Sequence, residues 1–149
     1  DRRFLSDTAA QVAAEVFAGN NIPVKLQHGD TPTPLITYAT AKDRAAYGLM
    51  FTASHNPSQW NGLKVFATDG SLPLDEETKA IENEANALTP DQVVKTELTI
   101  ARRSGFLHEV DYTNAYVDAV EALIDLQVIR EAGLRVVLTR LRSSRPTRC

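Results

Sequence analysis

Tyr47-Gly48-Leu49-Met50-Phe51-Thr52 is the stretch that decides the fold class. It is an almost continuous apolar run without polar alternation, the pattern of a strand covered on both faces, as in a central parallel strand between helices. Upstream, Ala9, Val12, Ala13, Val16 and Phe17 recur at helical spacing behind Ser6, a capping residue, and Gly19-Asn20 stops the helix. Ile22 to Leu26 reads as a short strand. Thr31-Pro32-Thr33-Pro34 then leads into a second helix reaching about Ala45. Downstream, Leu63 to Ala67 predicts a strand with Leu63, Val65 and Ala67 on one face and Lys64 and Phe66 on the other. Thr68-Asp69-Gly70 makes a turn, and Asp75 begins a charged helix with a seam of Ile81, Ala85 and Leu88. A short strand is expected near Val93 to Ile100, and a helix from Asp111 along Tyr116, Val120 and Leu123. A last short helix spans Leu126 to Ala132 before Gly133, and Arg135 to Leu138 reads as a buried strand. Strands and helices in alternation mean an α/β fold, a mainly parallel mixed sheet sandwiched by helices.

Composition narrows the function classes. The 149 residues are 43% hydrophobic and 23% charged, in the range of an ordinary globular domain. No apolar stretch approaches the length of a membrane span, and no signal sequence opens the chain. A single cysteine, Cys149, excludes an internal disulfide framework and a cysteine-based zinc site, which fits a reducing, cytoplasmic setting. The net charge of −3 hides an asymmetry. Arg140, Arg142, Arg145 and Arg148 fall in the last eleven residues, which hold no acid. The rest of the chain therefore carries about −7 and does not have the charge of a nucleic-acid binder.

The polar loop after the apolar run holds the chemistry: Thr52-Ala53-Ser54-His55-Asn56-Pro57, followed by Asn61-Gly62-Leu63-Lys64. Ser54 falls just past the carboxyl end of the strand, where open α/β sheets place their ligand sites. Pro57 restrains Asn56, and Asn61-Gly62 favours a tight turn into the next strand, so the loop is expected to be ordered. A hydroxyl, an imidazole, a carboxamide and a lysine converging there suit the handling of a phosphoryl group, where positioning and charge stabilisation dominate. By residue type alone, both a structural loop and a catalytic one stay open. No nucleophile elbow, Walker A loop or dinucleotide fingerprint is present. His28 and His108 lack partners at metal-ligand spacing.

With its lysine ten residues after the serine, the loop resembles the phosphoserine signature of the α-D-phosphohexomutases. That family comprises phosphoglucomutases, phosphomannomutases and phosphoglucosamine mutases. Asp1-x-Arg3 before the first helix, Thr33-Pro34 before the second, and the Gly133-to-Leu138 segment add to the resemblance, which runs from Asp1 to Leu138. It implies a domain I-like fold over residues 1–108, and a linker helix with the start of domain II over 109–149. It implies that Ser54 carries a phosphate and exchanges it with hexose phosphates through a hexose bisphosphate. By the same resemblance Lys64 serves in acid/base catalysis or in stabilising the leaving oxygen. His55 and Asn56 shape the loop and bind phosphate or substrate, His55 counting among the catalytic residues. The resemblance further implies Mg²⁺ in the complete enzyme, meeting the Ser54 phosphate, with its aspartate ligands expected to be absent from this chain.

Departures from the family pattern set further expectations. The first strand with its arginine-bearing loop, the aspartate loop and the sugar- and phosphate-recognition loops are missing. The start at Asp1, with no initiator Met, is expected to reflect residues removed upstream. The run from Thr139 to Arg145 replaces an aspartate and a glycine turn, as a frame shift or artificial end would produce. A fragment of a mutase, inactive alone, is therefore expected. The alternative is a non-catalytic, stand-alone α/β binding or interaction module derived from the same domain.

Overall fold

Helix α1, Ser6–Gly19, lies against two separate strand pairs and so organises the molecule. The structure, a computed structural model, describes residues 1–137. One pair is parallel: β1 (Val24–Gln27) with β4 (Leu107–Val110), Val24 opposite Leu107. The other is antiparallel: β2 (Gly48–Phe51) with β3 (Leu63–Phe66), Gly48 opposite Phe66. Helix α2, Thr33–Asp43, packs on β2, and α4, Leu98–Arg103, packs on α1 and β4. The α/β class, with a small parallel sheet flanked by helices, is as expected. The role of the Tyr47–Thr52 run is not. Its strand pairs antiparallel with β3 and alternates, Gly48 and Met50 buried, Leu49 and Phe51 half-buried. Unbroken apolarity cannot distinguish one covered face from two.

The core is small and rich in alanine. Ala14 and Ala18 of α1 pack with Ala101 and Leu107, joined by Val24, Leu26, Leu98 and Phe106. The α1 stripe is thus rotated from the one expected: Ala14 and Ala18 are buried and Val12 is exposed. Ser6 is not the cap. Leu5 holds that position with φ of 64°, and Ser6 is buried in the first turn, its Oγ accepting from Asn61 Nδ2 at 3.0 Å. On α2, Pro34 occupies the first turn as expected, and Leu35 behind it is 2% exposed. Gly48 lets α2 and β2 touch, since a Cβ there would lie 2.0 Å from Thr40 Oγ1.

Helix α3, Asp75–Ala87, is fully exposed, including the expected seam of Ile81, Ala85 and Leu88. Local forces hold it. Asp75, Glu76 and Glu77 face the positive end of the helix, and Glu77 Oε2 accepts from the Leu74 N–H at 3.2 Å. The strand expected near Val93 to Ile100 is instead irregular chain leading into α4, and β4 follows at Leu107. Helices α5 (Thr113–Glu121) and α6 (Leu126–Glu131) lie where the periodicity puts them, with Gly133 left-handed after α6. Residues 135–137 of the expected buried strand are irregular and exposed, Val137 at 94%. Leu138 and the 139–149 tail lie outside the described residues.

One polar cluster ties α5 to the rest. Asp43, at the end of α2, accepts from Lys25 Nζ at 2.5 Å and from the Tyr112 hydroxyl. The Lys25 bond first, then the Tyr112 bond, holds the Asp43 carboxyl below the usual carboxylate range, and the Asp43 bond raises Lys25. A carboxyl depressed in the folded state stabilises fully above its unfolded value, about pH 4, and loses that effect as the pH falls through the lower folded value. Protection of the α5 amides against hydrogen exchange is therefore expected to fall below about pH 4. Asp43→Asn should remove that dependence; an identical acid profile in the variant would assign it to other groups.

Candidate functional site

Thr52 continues β2 by one more step, its N–H donating to Gly62 O at 2.8 Å, so the loop from Ala53 to Asn61 is closed at its base. Gly48, Met50 and Thr52 share one face of the hairpin, and across from it lie Phe66 and Lys64. That face is covered: Met50, Thr52 and Phe66 are all buried.

The loop is held from inside by residues that precede α1. Arg3, with its side chain 9% exposed, donates from Nη2 to Ser54 O at 2.5 Å. Its Nη1 donates to Pro57 O at 2.9 Å and Trp60 O at 3.1 Å. Asp1 Oδ2 pairs with Arg3 Nε at 3.1 Å and accepts from Thr52 Oγ1 at 2.7 Å. Thr52 Oγ1 in turn accepts the Ser54 N–H at 3.2 Å. Asn61 closes the far end, donating to Phe4 O at 3.1 Å and to Ser6 Oγ. The tight glycine turn expected at Asn61-Gly62 does not form. Gly62 has no positive φ, and the Asn61 side chain orders this end instead.

Ser54 is exposed, with φ of 55°, and its Oγ lies 3.4 Å from His55 Nδ1, a loose contact. Asn56 sits in the same turn, its N–H donating to Ala53 O at 3.0 Å, its side chain exposed. Lys64 is half-buried on the covered face and, among the described residues, bonds to neither Ser54 nor an acid. The fold thus brings Ser54, His55 and Asn56 together and puts Lys64 on the face that carries Thr52. Thr52, quoted above as the first residue of the signature stretch but given no role there, joins the site as a supporting residue through its bonds to Asp1 and the Ser54 N–H.

Among the described residues no three His, Cys, Asp or Glu side chains gather as a metal site. The residues around Ser54 therefore do not by themselves fit Mg²⁺. An open cleft of 680 Å³ lies at the opposite end of the hairpin, lined by Arg44, Tyr47, Thr68 and Asp69 among others, away from the Ser54 loop.

Residues 1–92 match the family described as phosphoglucomutase/phosphomannomutase, alpha/beta/alpha domain I. A phosphoglucomutase from Komagataeibacter xylinus is 35% identical over 91% of this chain and 26% of its own length. A phosphoglucosamine mutase from Sphingopyxis alaskensis is 37% identical over 76% of this chain and 24% of its own. The crystal structure of a protein assigned as a phosphomannomutase, from Thermus thermophilus, superposes with a TM-score of 0.71. It is 37% identical, over 85% of this chain and 26% of that one. The chain spans about a quarter of the length of these relatives. On the domain I match and these identities, the chain belongs to the phosphoglucomutase/phosphomannomutase family.

Proposed function

We propose that this chain carries the phosphate-exchanging serine of a phosphohexomutase that interconverts hexose 1-phosphate and hexose 6-phosphate, glucose or mannose phosphate being the substrate. The observation that carries the reading is Ser54 itself. Its backbone N–H and C=O are both bonded inward, to Thr52 and Arg3, while its hydroxyl is left exposed beside an imidazole.

In the proposed step Ser54 Oγ attacks the phosphorus of a hexose bisphosphate. The Oγ–P bond forms as the bond from phosphorus to the sugar oxygen breaks, and the serine proton ends on that oxygen. In the preceding step phosphoserine gives its phosphate to the free hydroxyl of a hexose monophosphate. Once the resulting bisphosphate has turned round, it is the phosphate at its other end that returns to Ser54. Phosphoserine would add a charge of about −1.5 to −2 at pH 7, which cations and hydrogen-bond donors must meet. Lys64 is the proposed acid/base or charge-stabilising group; His55 and Asn56 are proposed to shape the serine loop and bind the phosphate or substrate, His55 counting among the catalytic residues. Mg²⁺ would offset the charge of the Ser54 phosphate, its remaining ligands coming from outside the described residues. Complete turnover is proposed to need groups beyond the quarter of the relatives that this chain matches.

The division into residues 1–108 and 109–149 is part of the same proposal. β4 straddles that point and stays paired to β1 as far as Val110. No helix among the described residues is long and apolar enough to cross a membrane, and a cytoplasmic setting is proposed. The test is incubation of the chain with glucose 1,6-bisphosphate followed by intact mass and peptide mapping. One phosphate, mapped to Ser54, is expected. An unmodified Ser54 together with tight binding to another protein would favour the interaction module instead.

A further inference from the structure

We infer that Arg3, acting with Asp1 and Thr52, is a positioning residue that sets the backbone of Ser54 for phosphoryl exchange, and that its planar guanidinium is required for this. The inference rests on the phosphohexomutase reading. Among the described residues, four other than glycine have positive φ: Leu5, Asn21, Arg44 and Ser54. Leu5 caps the start of α1, Asn21 follows its end and Arg44 caps the end of α2, so a helix terminus accounts for each of these three. Ser54 adjoins no helix. A left-handed serine between a strand and a loop is unfavourable in isolation, and it persists only where its surroundings enforce it.

The enforcing contacts are on both sides of the residue. Arg3 Nη2 holds the Ser54 carbonyl, and Thr52 Oγ1 holds the Ser54 N–H. The two are joined through one atom, Asp1 Oδ2, which accepts from Thr52 Oγ1 and pairs with Arg3 Nε. The other guanidinium nitrogen, Nη1, reaches Pro57 O and Trp60 O, so one rigid fork gathers three carbonyls of the loop. The Asp1 end of the clamp is part-buried, with Thr52 buried and the Arg3 side chain nearly so, which strengthens the bonds that Asp1 makes to Thr52 and Arg3. Within Ser54 the only polar group without a part in this clamp is Oγ, the proposed nucleophile. A lysine at position 3 keeps the charge but, as a point donor on a flexible stem, cannot reproduce the planar fork.

The test uses the 149-residue chain with Arg3→Ala, Arg3→Lys and Thr52→Val. NMR would follow the amide exchange and three-bond coupling of Ser54, and melting would follow global stability. Arg3→Ala and Arg3→Lys are both expected to speed Ser54 amide exchange about tenfold or more relative to α1, with a coupling that moves off the left-handed value. Thr52→Val, close in shape, is expected to free the same N–H and serves if the Arg3 variants fail to fold. The indole of Trp60, the only tryptophan in the chain, reports loop loosening independently through its fluorescence. The rate of Ser54 phosphorylation by glucose 1,6-bisphosphate is expected to fall about a hundredfold in both Arg3 variants. Arg3 variants that only melt earlier, with Ser54 coupling and exchange unchanged, would make Arg3 a stabilising residue and overturn the inference. So would an unchanged Ser54 in Thr52→Val. A parent chain that takes no phosphate counts against the phosphohexomutase reading, and the NMR arm still decides for or against the clamp.

Discussion

Ser54→Ala is expected to abolish phosphate transfer from glucose 1,6-bisphosphate to the chain while the protein stays folded. Stability should change by no more than about 0.5 kcal/mol, as for an exposed side chain away from packing. The Ser54 side chain is exposed, and among the described residues its one polar contact is the 3.4 Å approach to His55 Nδ1. The bonds that order the loop use its backbone N–H and C=O, which alanine keeps. Alanine also bears the same left-handed strain as serine, so the backbone gains no reason to move. Ser54→Gly is a second control, because glycine accepts a φ of 55° freely and also lacks the hydroxyl. Both variants should fold and both should stay unphosphorylated by mass. Phosphorylation of Ser54→Ala at the parent rate would place the acceptor elsewhere and end the assignment of Ser54.

Leu35→Ala is expected to be the most destabilising single truncation, lowering stability by about 3 kcal/mol. Much of the core cluster is alanine: Ala14, Ala18 and Ala101, which bury little apolar surface each. The larger buried side chains are few, namely Leu35, Met50, Phe66 and Leu107, and of these Leu35 is the most enclosed at 2% exposure. It sits behind Pro34 in the first turn of α2, its N–H donating to Pro32 O at 3.0 Å, so its backbone has little freedom to close a cavity. A loss of about 3 kcal/mol corresponds to a melting shift on the order of 10 °C in a domain of this size. Urea unfolding gives the free energy directly. A loss below about 1 kcal/mol, small for a buried leucine, would show that α2 shifts onto β2 and fills the space.

Several features were legible in the sequence for local reasons. Helices α1, α2, α5 and α6 follow from apolar spacing, from Pro34 and from stops such as Gly133, all properties of a few neighbouring residues. The serine loop was legible too, since Ser54-His55-Asn56-Pro57 directly follows an apolar strand and so must leave the sheet at its end. Exposure of Ser54, His55 and Asn56 agrees with that reading.

The tertiary structure alone decided what depends on distant partners. The apolar run of β2 did not reveal that its partner is β3, running antiparallel, or that β1 pairs with β4, 83 residues on from Val24 to Leu107. Nothing local in Leu107–Val110 marked it as a strand. The polar Ser6 was buried because Asn61, 55 residues away, supplies it with a donor. The seam of α3 was left bare because no element of the described chain packs on it. The clamp on Ser54 follows the same logic. Its ends, Arg3 and Ser54, are 51 residues apart, and their bond exists only after α1 and the hairpin have docked. Sequence patterns encode which local conformations are favourable; strand partners, burial and the left-handed serine are set by hydrogen bonds and packing that close only in the assembled fold.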